Sequence, residues 1–129
     1  MPTTLEASSS AGTAFSLGFS YLGNLNVSTI PNNRDTGRTE TFTYDELNRL
    51  SSAQSQATSG PDCWGQTMPA SNATPPGYDR YGNLRTINSS QCSTPGLSLS
   101  VNNYNHIALV LDPCGGLLLF AMSMVRGRS

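Results

Sequence analysis

The sequence predicts an all-β fold built from antiparallel β-hairpin repeats. Three observations carry this. A seven-residue phrase recurs: Tyr44-Asp45-x-x-Asn48-Arg49-Leu50 and Tyr78-Asp79-x-x-Gly82-Asn83-Leu84. Its flanks alternate with period two, and no window shows a sustained helical apolar stripe with caps. The third is composition. Apolar residues make up only 36% of the chain and charged residues 12%, with Ser, Thr and Asn filling the gap. Such a polar, turn-rich chain suits a thin β-layer better than a compact α/β enzyme.

The phrase has a physical meaning. Asp at the first position of a type I turn accepts hydrogen bonds from backbone N–H groups two residues on, and Gly or Asn at the fourth supplies positive φ. Such a turn closes the three-residue hairpin loop with a bulge. Each phrase therefore predicts a hairpin tip, with the aromatic before it and the Leu after it on the two arms.

Two weaker copies fit the same register. In the first, Phe19 stands for Tyr and Ser20 for Asp, while Gly23, Asn24 and Leu25 match the third copy. In the last, Leu111 replaces the aromatic, and Asp112, Gly115 and Leu117 hold their places. Asp112-Pro113 adds Pro at the second turn position, where its fixed φ suits the turn. The copies then start at 19, 44, 78 and 111. Recurrence at a fixed offset is the signature of a repeat array.

The arms follow. "TETFTY", residues 39–44, puts Glu40, Phe42 and Tyr44 on one face. "LSLSV", residues 97–101, is the cleanest alternating run, and "SLSVNNYNHI" as a whole reads as the return strand of the third unit. "LNVSTI" and "LRTIN" are rich in β-branched residues. Residues 1–14 read as a disordered lead-in, 15–50 as hairpin repeats, 51–77 as a long polar loop between repeats, 78–120 as further repeats, the last degenerate, and 121–129 as a tail. Trp64, in the polar loop, either stacks on a ligand or pins the loop to the sheet; the second role is the commoner.

Charge excludes some partners. All seven basic residues are Arg, and the formal net charge is −1. Neither a basic face for nucleic acid nor a polybasic membrane patch is present. The most apolar stretch, residues 107–125, is interrupted by Asp112, Pro113 and two glycines and does not read as a membrane span. The first residues carry no basic n-region and no apolar core, so no signal peptide is expected. Cys63, Cys92 and Cys114 are either three separate thiols or, in an oxidising compartment, a Cys63–Cys92 bridge with one thiol left over. Their spacing does not resemble paired zinc ligands, and no metal or cofactor is expected. The three Asn-x-Ser/Thr sequons, at Asn26, Asn72 and Asn88, are expected by chance in a chain this rich in Asn, Ser and Thr.

Catalysis finds little footing. The single histidine, His106, would need a nucleophile and an orienting acid; Ser98 and Ser100 are near in sequence, but no nucleophile elbow surrounds them. Asp45, Asp79 and Asp112 recur at a turn start, which is turn chemistry. Phe19, Phe42, Tyr44, Tyr78 and Tyr81 form either a sugar-stacking ladder or a packed face between hairpins. Trp64 and Tyr81 are the candidate ligand-stacking residues.

Placed on hairpins, the phrase resembles the YD repeat of Rhs-repeat and teneurin-like proteins. "GRTETFTYDELNRL", residues 37–50, is similar to a nearly complete unit, with Gly37 leading and Phe42 as the inner aromatic; "GYDRYGNL", residues 77–84, is similar to another. The resemblance implies hairpins that spiral side by side into a β-sheet shell. In bacterial members the shell encloses a C-terminal toxin or effector until delivery; some members are secreted or at the cell surface, and carbohydrate binding is a proposed role of the repeats. The resemblance implies as partners the remaining repeats of a parent shell, its cargo, or cell-surface carbohydrate. The chain departs from the pattern in having no self-cleaving core and no effector domain. Its tail reads as a premature end or a shifted frame, so a fragment is expected.

Overall fold

The computed structural model describes residues 1–111, with side-chain surroundings through residue 107. The described chain is all-β and antiparallel. Ten strands and one 3₁₀ turn account for its regular structure. It divides into two compact units: Met1–Thr67 with Ser90–Thr94, and Met68–Ser89 with the residues from Pro95 onward.

The first unit opens on a hairpin of β1 (Thr4–Ser9) and β2 (Gly12–Gly18). This corrects the expectation that residues 1–14 lack structure. Leu5 and Ala7 pair with Leu17 and Phe15 on one face, but Leu5 and Phe15 stay exposed while Ser16, on the opposite face, is buried. Backbone pairing holds the hairpin, with a tight loop that ends on Gly12 at φ 121°. The hairpin is tied onward by Gly18 N–H donating to Pro31 C=O at 2.8 Å and Asn33 N–H to Ser16 C=O at 3.0 Å.

A meander follows: β3 (Ser20–Tyr21), β4 (Val27–Ile30), β5 (Glu40–Tyr44), β6 (Leu50–Ser55) and β7 (Gly65–Thr67), each paired with the next. The β4–β5 connection makes the 3₁₀ turn Thr36–Arg38, capped by Asp35, whose carboxylate accepts from Gly37 N–H. In β5–β6 the register sets Phe42 opposite Ala53 and Tyr44 opposite Leu50. Residues 51–77 are therefore not one structureless loop: they contain most of β6 and all of β7. The sequence conceals β6 because its inward residues are small. Ala53 and Ser55 are buried, and such side chains carry little hydrophobic signal.

Cys63 and Cys92 are bonded. Around the bridge, Gln91 donates its side-chain amide to the carbonyls of Ser55, at 3.3 Å, and of Ala57. Gly65 N–H donates to Thr94 Oγ1 at 2.9 Å. A Cβ on Gly65 would stand 2.7 Å from both Gln91 Cβ and Ser90 Oγ, which is why glycine fits there. Cys92 and Ser93 both have positive φ, 51° and 52°, the mark of a primed hairpin turn.

In the second unit Tyr78 bridges Leu84 across the third phrase. Strand β8 (Thr86–Gln91) starts here, and its last two residues belong to the first unit. Thr86 and Ile87 pair with Ser98 and Leu97 of β9 (Leu97–Val101), and β9 pairs with β10 (Ile107–Leu111). The run 98–107 is thus not one return strand, since β9 ends at Val101 and a turn follows. Gly77 N–H donates to Pro69 C=O at 2.9 Å.

Little is fully buried. Among the described residues the buried apolar side chains are Ala53 and Cys63, alongside Ser16, Thr39, Ser55 and Thr86. Phe19, Phe42, Tyr44 and Tyr78 are half-buried, as thin sheets leave them.

Candidate functional site

The feature most repeated in the structure is a hairpin tip. Among the described residues it occurs four times: Tyr21–Val27, Tyr44–Leu50, Tyr78–Leu84 and Val101–Ile107. In each, the second residue donates its N–H to the carbonyl of the sixth: Leu22 to Asn26, Asp45 to Arg49, Asp79 to Asn83 and Asn102 to His106, at 2.8–3.0 Å. In each, the fifth residue donates back to the second: Leu25, Asn48, Gly82 and Asn105, at 2.9–3.0 Å. That fifth residue has positive φ every time: 68°, 60°, 84° and 63°. This is a type I turn with a bulge, as the residue types of the second and third copies demand.

The side chain at the second position completes three of the tips. Asp45 Oδ1 accepts from the N–H groups of Leu47 and Arg49, both at 2.9 Å. Asp79 Oδ1 accepts from Tyr81 and Asn83, both at 2.9 Å. Asn102 Oδ1 accepts from Tyr104 at 2.9 Å and His106 at 3.0 Å. The second oxygen of each aspartate takes a further donor: Arg49 Nε at 2.7 Å for Asp45, Asn83 Nδ2 at 2.9 Å for Asp79.

These contacts shift both carboxyls. At Asp45 desolvation pushes the pKa up, but hydrogen bonds from the Arg49 N–H, the Arg49 guanidinium and the Leu47 N–H outweigh it, and the net direction is down. At Asp79 the Asn83 side-chain hydrogen bond lowers the pKa first, with the Asn83 and Tyr81 N–H groups and the Arg85 charge adding to it against desolvation.

One reading of the sequence is corrected here. The first tip lies two residues later than the letters Gly23-Asn24-Leu25 suggest. Tyr21, not Phe19, holds the aromatic place, and Leu25 sits at the bulge rather than on an arm. Pairing of Tyr21 with Val27 sets this frame. The expected copy at Asp112, Gly115 and Leu117 lies outside the described residues. A further tip that the letters did not reveal stands at Val101–Ile107. Its signal was Asn at both the second and fifth positions, since Asn can accept at the turn start and tolerates positive φ. In this frame the tips begin their turns at 22, 45, 79 and 102, spacings of 23 (45 − 22), 34 (79 − 45) and 23 (102 − 79). The longer interval contains the polar segment between β6 and the third tip.

Neighbouring tips within a unit touch through amides. Asn24 Nδ2 donates to Asn48 Oδ1 at 2.6 Å in the first unit, and Asn83 Nδ2 donates to Asn105 Oδ1 in the second. The fourth residue of each tip points outward: Asn24, Leu47, Tyr81 and Tyr104 are all exposed. Tyr81 is 69% exposed and Tyr104 82%. The Arg80 guanidinium lies 4.7 Å from the Tyr81 ring centroid, a cation–π distance.

The other candidates fall elsewhere. Trp64 is half-buried in the first unit; its C=O accepts from Ser55 N–H at 2.9 Å and its own N–H donates to Ser55 Oγ at 3.0 Å. His106 is the sixth residue of the fourth tip and is exposed. A small cleft in the second unit is lined by Pro75, Pro76, Arg85, Thr86 and Leu99, among others. Arg85 there is engaged, donating Nε to Leu99 C=O at 2.7 Å. Among the described residues no cluster of His, Cys, Asp or Glu is placed to hold a metal ion, and no helix is long and apolar enough to cross a membrane. No protein-family model and no curated protein matches the chain.

Proposed function

We propose that the chain is a non-enzymatic stretch of wall in a YD-repeat shell, which in its parent protein encloses and delivers a C-terminal toxin or effector. The observation that carries this is the tip built four times with one hydrogen-bond scheme and four different sequences. A catalytic site needs particular residues at one place. A wall needs one backbone shape many times, and that is what these turns supply. The tip-to-tip amide pairs and the thin, polar sheet support the same reading. The Cys63–Cys92 bridge supports an oxidising location, as for a secreted or cell-surface parent.

The test is to sequence the coding DNA beyond both ends and translate every frame. Further tips of the form Tyr-Asp-x-x-Gly or Asn-x-x-Asn, about 23 residues apart as in the spacings seen here, are expected on either side. Stop codons close to both ends, with no further tips in any frame, would overturn the wall reading.

A further inference from the structure

The second unit carries two tyrosines at the same position of two adjoining tips. Tyr81 and Tyr104 each follow the turn start by two residues, and each is among the most exposed large side chains of the described residues. Asn83 Nδ2 bonded to Asn105 Oδ1 holds the two tips side by side. Each hairpin is two strands wide, so equivalent positions on adjoining tips repeat at about 10 Å, twice the ~4.8 Å strand spacing.

We propose that this tip edge binds a proline-rich peptide in the polyproline II conformation. That helix has three residues per turn at ~3.1 Å each, so every third residue returns to the same side after about 9 Å. The two repeats match closely enough for prolines three apart to rest on Tyr81 and Tyr104 together. Aromatic rings are the usual seats for such prolines. The helix has no internal hydrogen bonds, so its carbonyls are open to donors. Arg80 Nη2 donates to Tyr81 Oη, which leaves the tyrosine's own proton to donate to a peptide carbonyl. Among the described residues Arg80 forms no ion pair with a carboxylate, so an acidic residue beside the prolines complements it. Nucleic acid, which also stacks on aromatics, is disfavoured by the chain's net charge of −1. The inference goes beyond the wall reading and does not depend on it.

The probe is a short fluorescent peptide with proline at every third position and one glutamate, titrated against the full chain by anisotropy. Saturable binding is expected. Tyr81→Ala and Tyr104→Ala should each weaken it roughly tenfold, and Tyr104→Phe should retain most of it. Arg80→Gln should weaken this peptide more than one with glutamine in place of glutamate. A glycine–serine peptide of equal charge should not bind. On the unsubstituted chain, the peptide should shift the ring resonances of Tyr81 and Tyr104, which keeps the test independent of any variant's folding. No saturable binding at millimolar protein, unmoved tyrosine resonances, or equal binding of the glycine–serine peptide would overturn the proposal. So would binding of an acidic oligosaccharide through the same tyrosines with none of the peptide.

Discussion

The Tyr44 hydroxyl donates to the carbonyl of Val27 at 2.8 Å. Tyr44 is the aromatic that opens the second tip, and Val27 closes the first. The contact therefore joins one repeat to the next, and Phe in place of Tyr44 could not make it. The ring supplies half-buried area and the hydroxyl reaches a neighbour's backbone. Tyr44→Phe should keep the ring packing and lose about 1 kcal/mol, a typical net value for one hydrogen bond. Urea unfolding followed by Trp64 fluorescence would read this as a lower midpoint at unchanged slope. An unchanged midpoint would mean that the hydroxyl contributes nothing to holding adjacent tips.

Acid should loosen the tips. Asp45 and Asp79 have folded pKa values below the ordinary aspartate value of about 3.9. A group with a depressed folded pKa stabilises the fold above its unfolded value, and that contribution is lost as pH falls through the folded one. Stability should thus be flat above about pH 5 and fall below about pH 4. Asp45→Asn and Asp79→Asn should flatten that fall, since Asn keeps one acceptor oxygen, as Asn102 does in the fourth tip. Identical acid profiles in the variants and the parent chain would show that the titrating groups lie elsewhere.

The first tip is the weakest of the four. Leu22 offers no acceptor where the others offer Asp or Asn. Leu25 adopts φ 68° although its side chain is 64% exposed and gains little from packing. The buried Nδ2 of Asn26 has no hydrogen-bond partner. One change addresses two of these faults. Leu22→Asp would place a carboxylate where Asp79 stands in the third tip, able to accept from the Asn26 Nδ2 as Asp79 accepts from Asn83. Leu25→Gly would relieve the positive φ. Each should stabilise by about 1 kcal/mol. Urea midpoints should rise for both, and amide exchange at Asn24 and Asn26 should slow. Midpoints that fall would mean that the two leucines pack in solution more than their exposure indicates.

The pattern of what the sequence disclosed follows from how the tips work. Asp45 with Asn48 and Asp79 with Gly82 were legible because each residue does one local job that few others can do. The fourth tip does the same jobs with Asn102 and Asn105, and shared chemistry without shared letters hid it. At the first tip the letters matched in the wrong frame, because strand pairing, not Gly23-Asn24-Leu25, decides where the chain turns. The β1–β2 hairpin and β6 went unseen for a different reason. β6 buries the small residues Ala53 and Ser55, which carry little hydropathy, and the β1–β2 hairpin buries Ser16 while the alternating face of Leu5, Ala7, Phe15 and Leu17 is left with Leu5 and Phe15 exposed. For the cysteines the sequence left two readings open, separate thiols or a Cys63–Cys92 bridge, because a 29-residue separation does not say whether the two meet; the fold brings them together. The tyrosine pair at Tyr81 and Tyr104 became visible once both were known to sit on tips.

The disulfide should matter more than any single turn. It closes a 29-residue loop in a unit whose other buried apolar side chain is Ala53 alone. Loop-closure entropy for that length corresponds to about 3–4 kcal/mol, a large share of what so thin a sheet can hold. Reduction, or Cys63→Ser with Cys92→Ser, should lower the urea midpoint strongly. The loss should be local at first. The Gln91 amide and the Gly65–Thr94 contact depend on residues 90–94 staying against β6 and β7, whereas the second tip is closed by its own hydrogen bonds. Amide protection should therefore collapse at Gly65 while Arg49 N–H, bonded to Asp45, keeps its own. Equal protection at Gly65 before and after reduction would show that Gln91 and Thr94 hold the segment without the bridge.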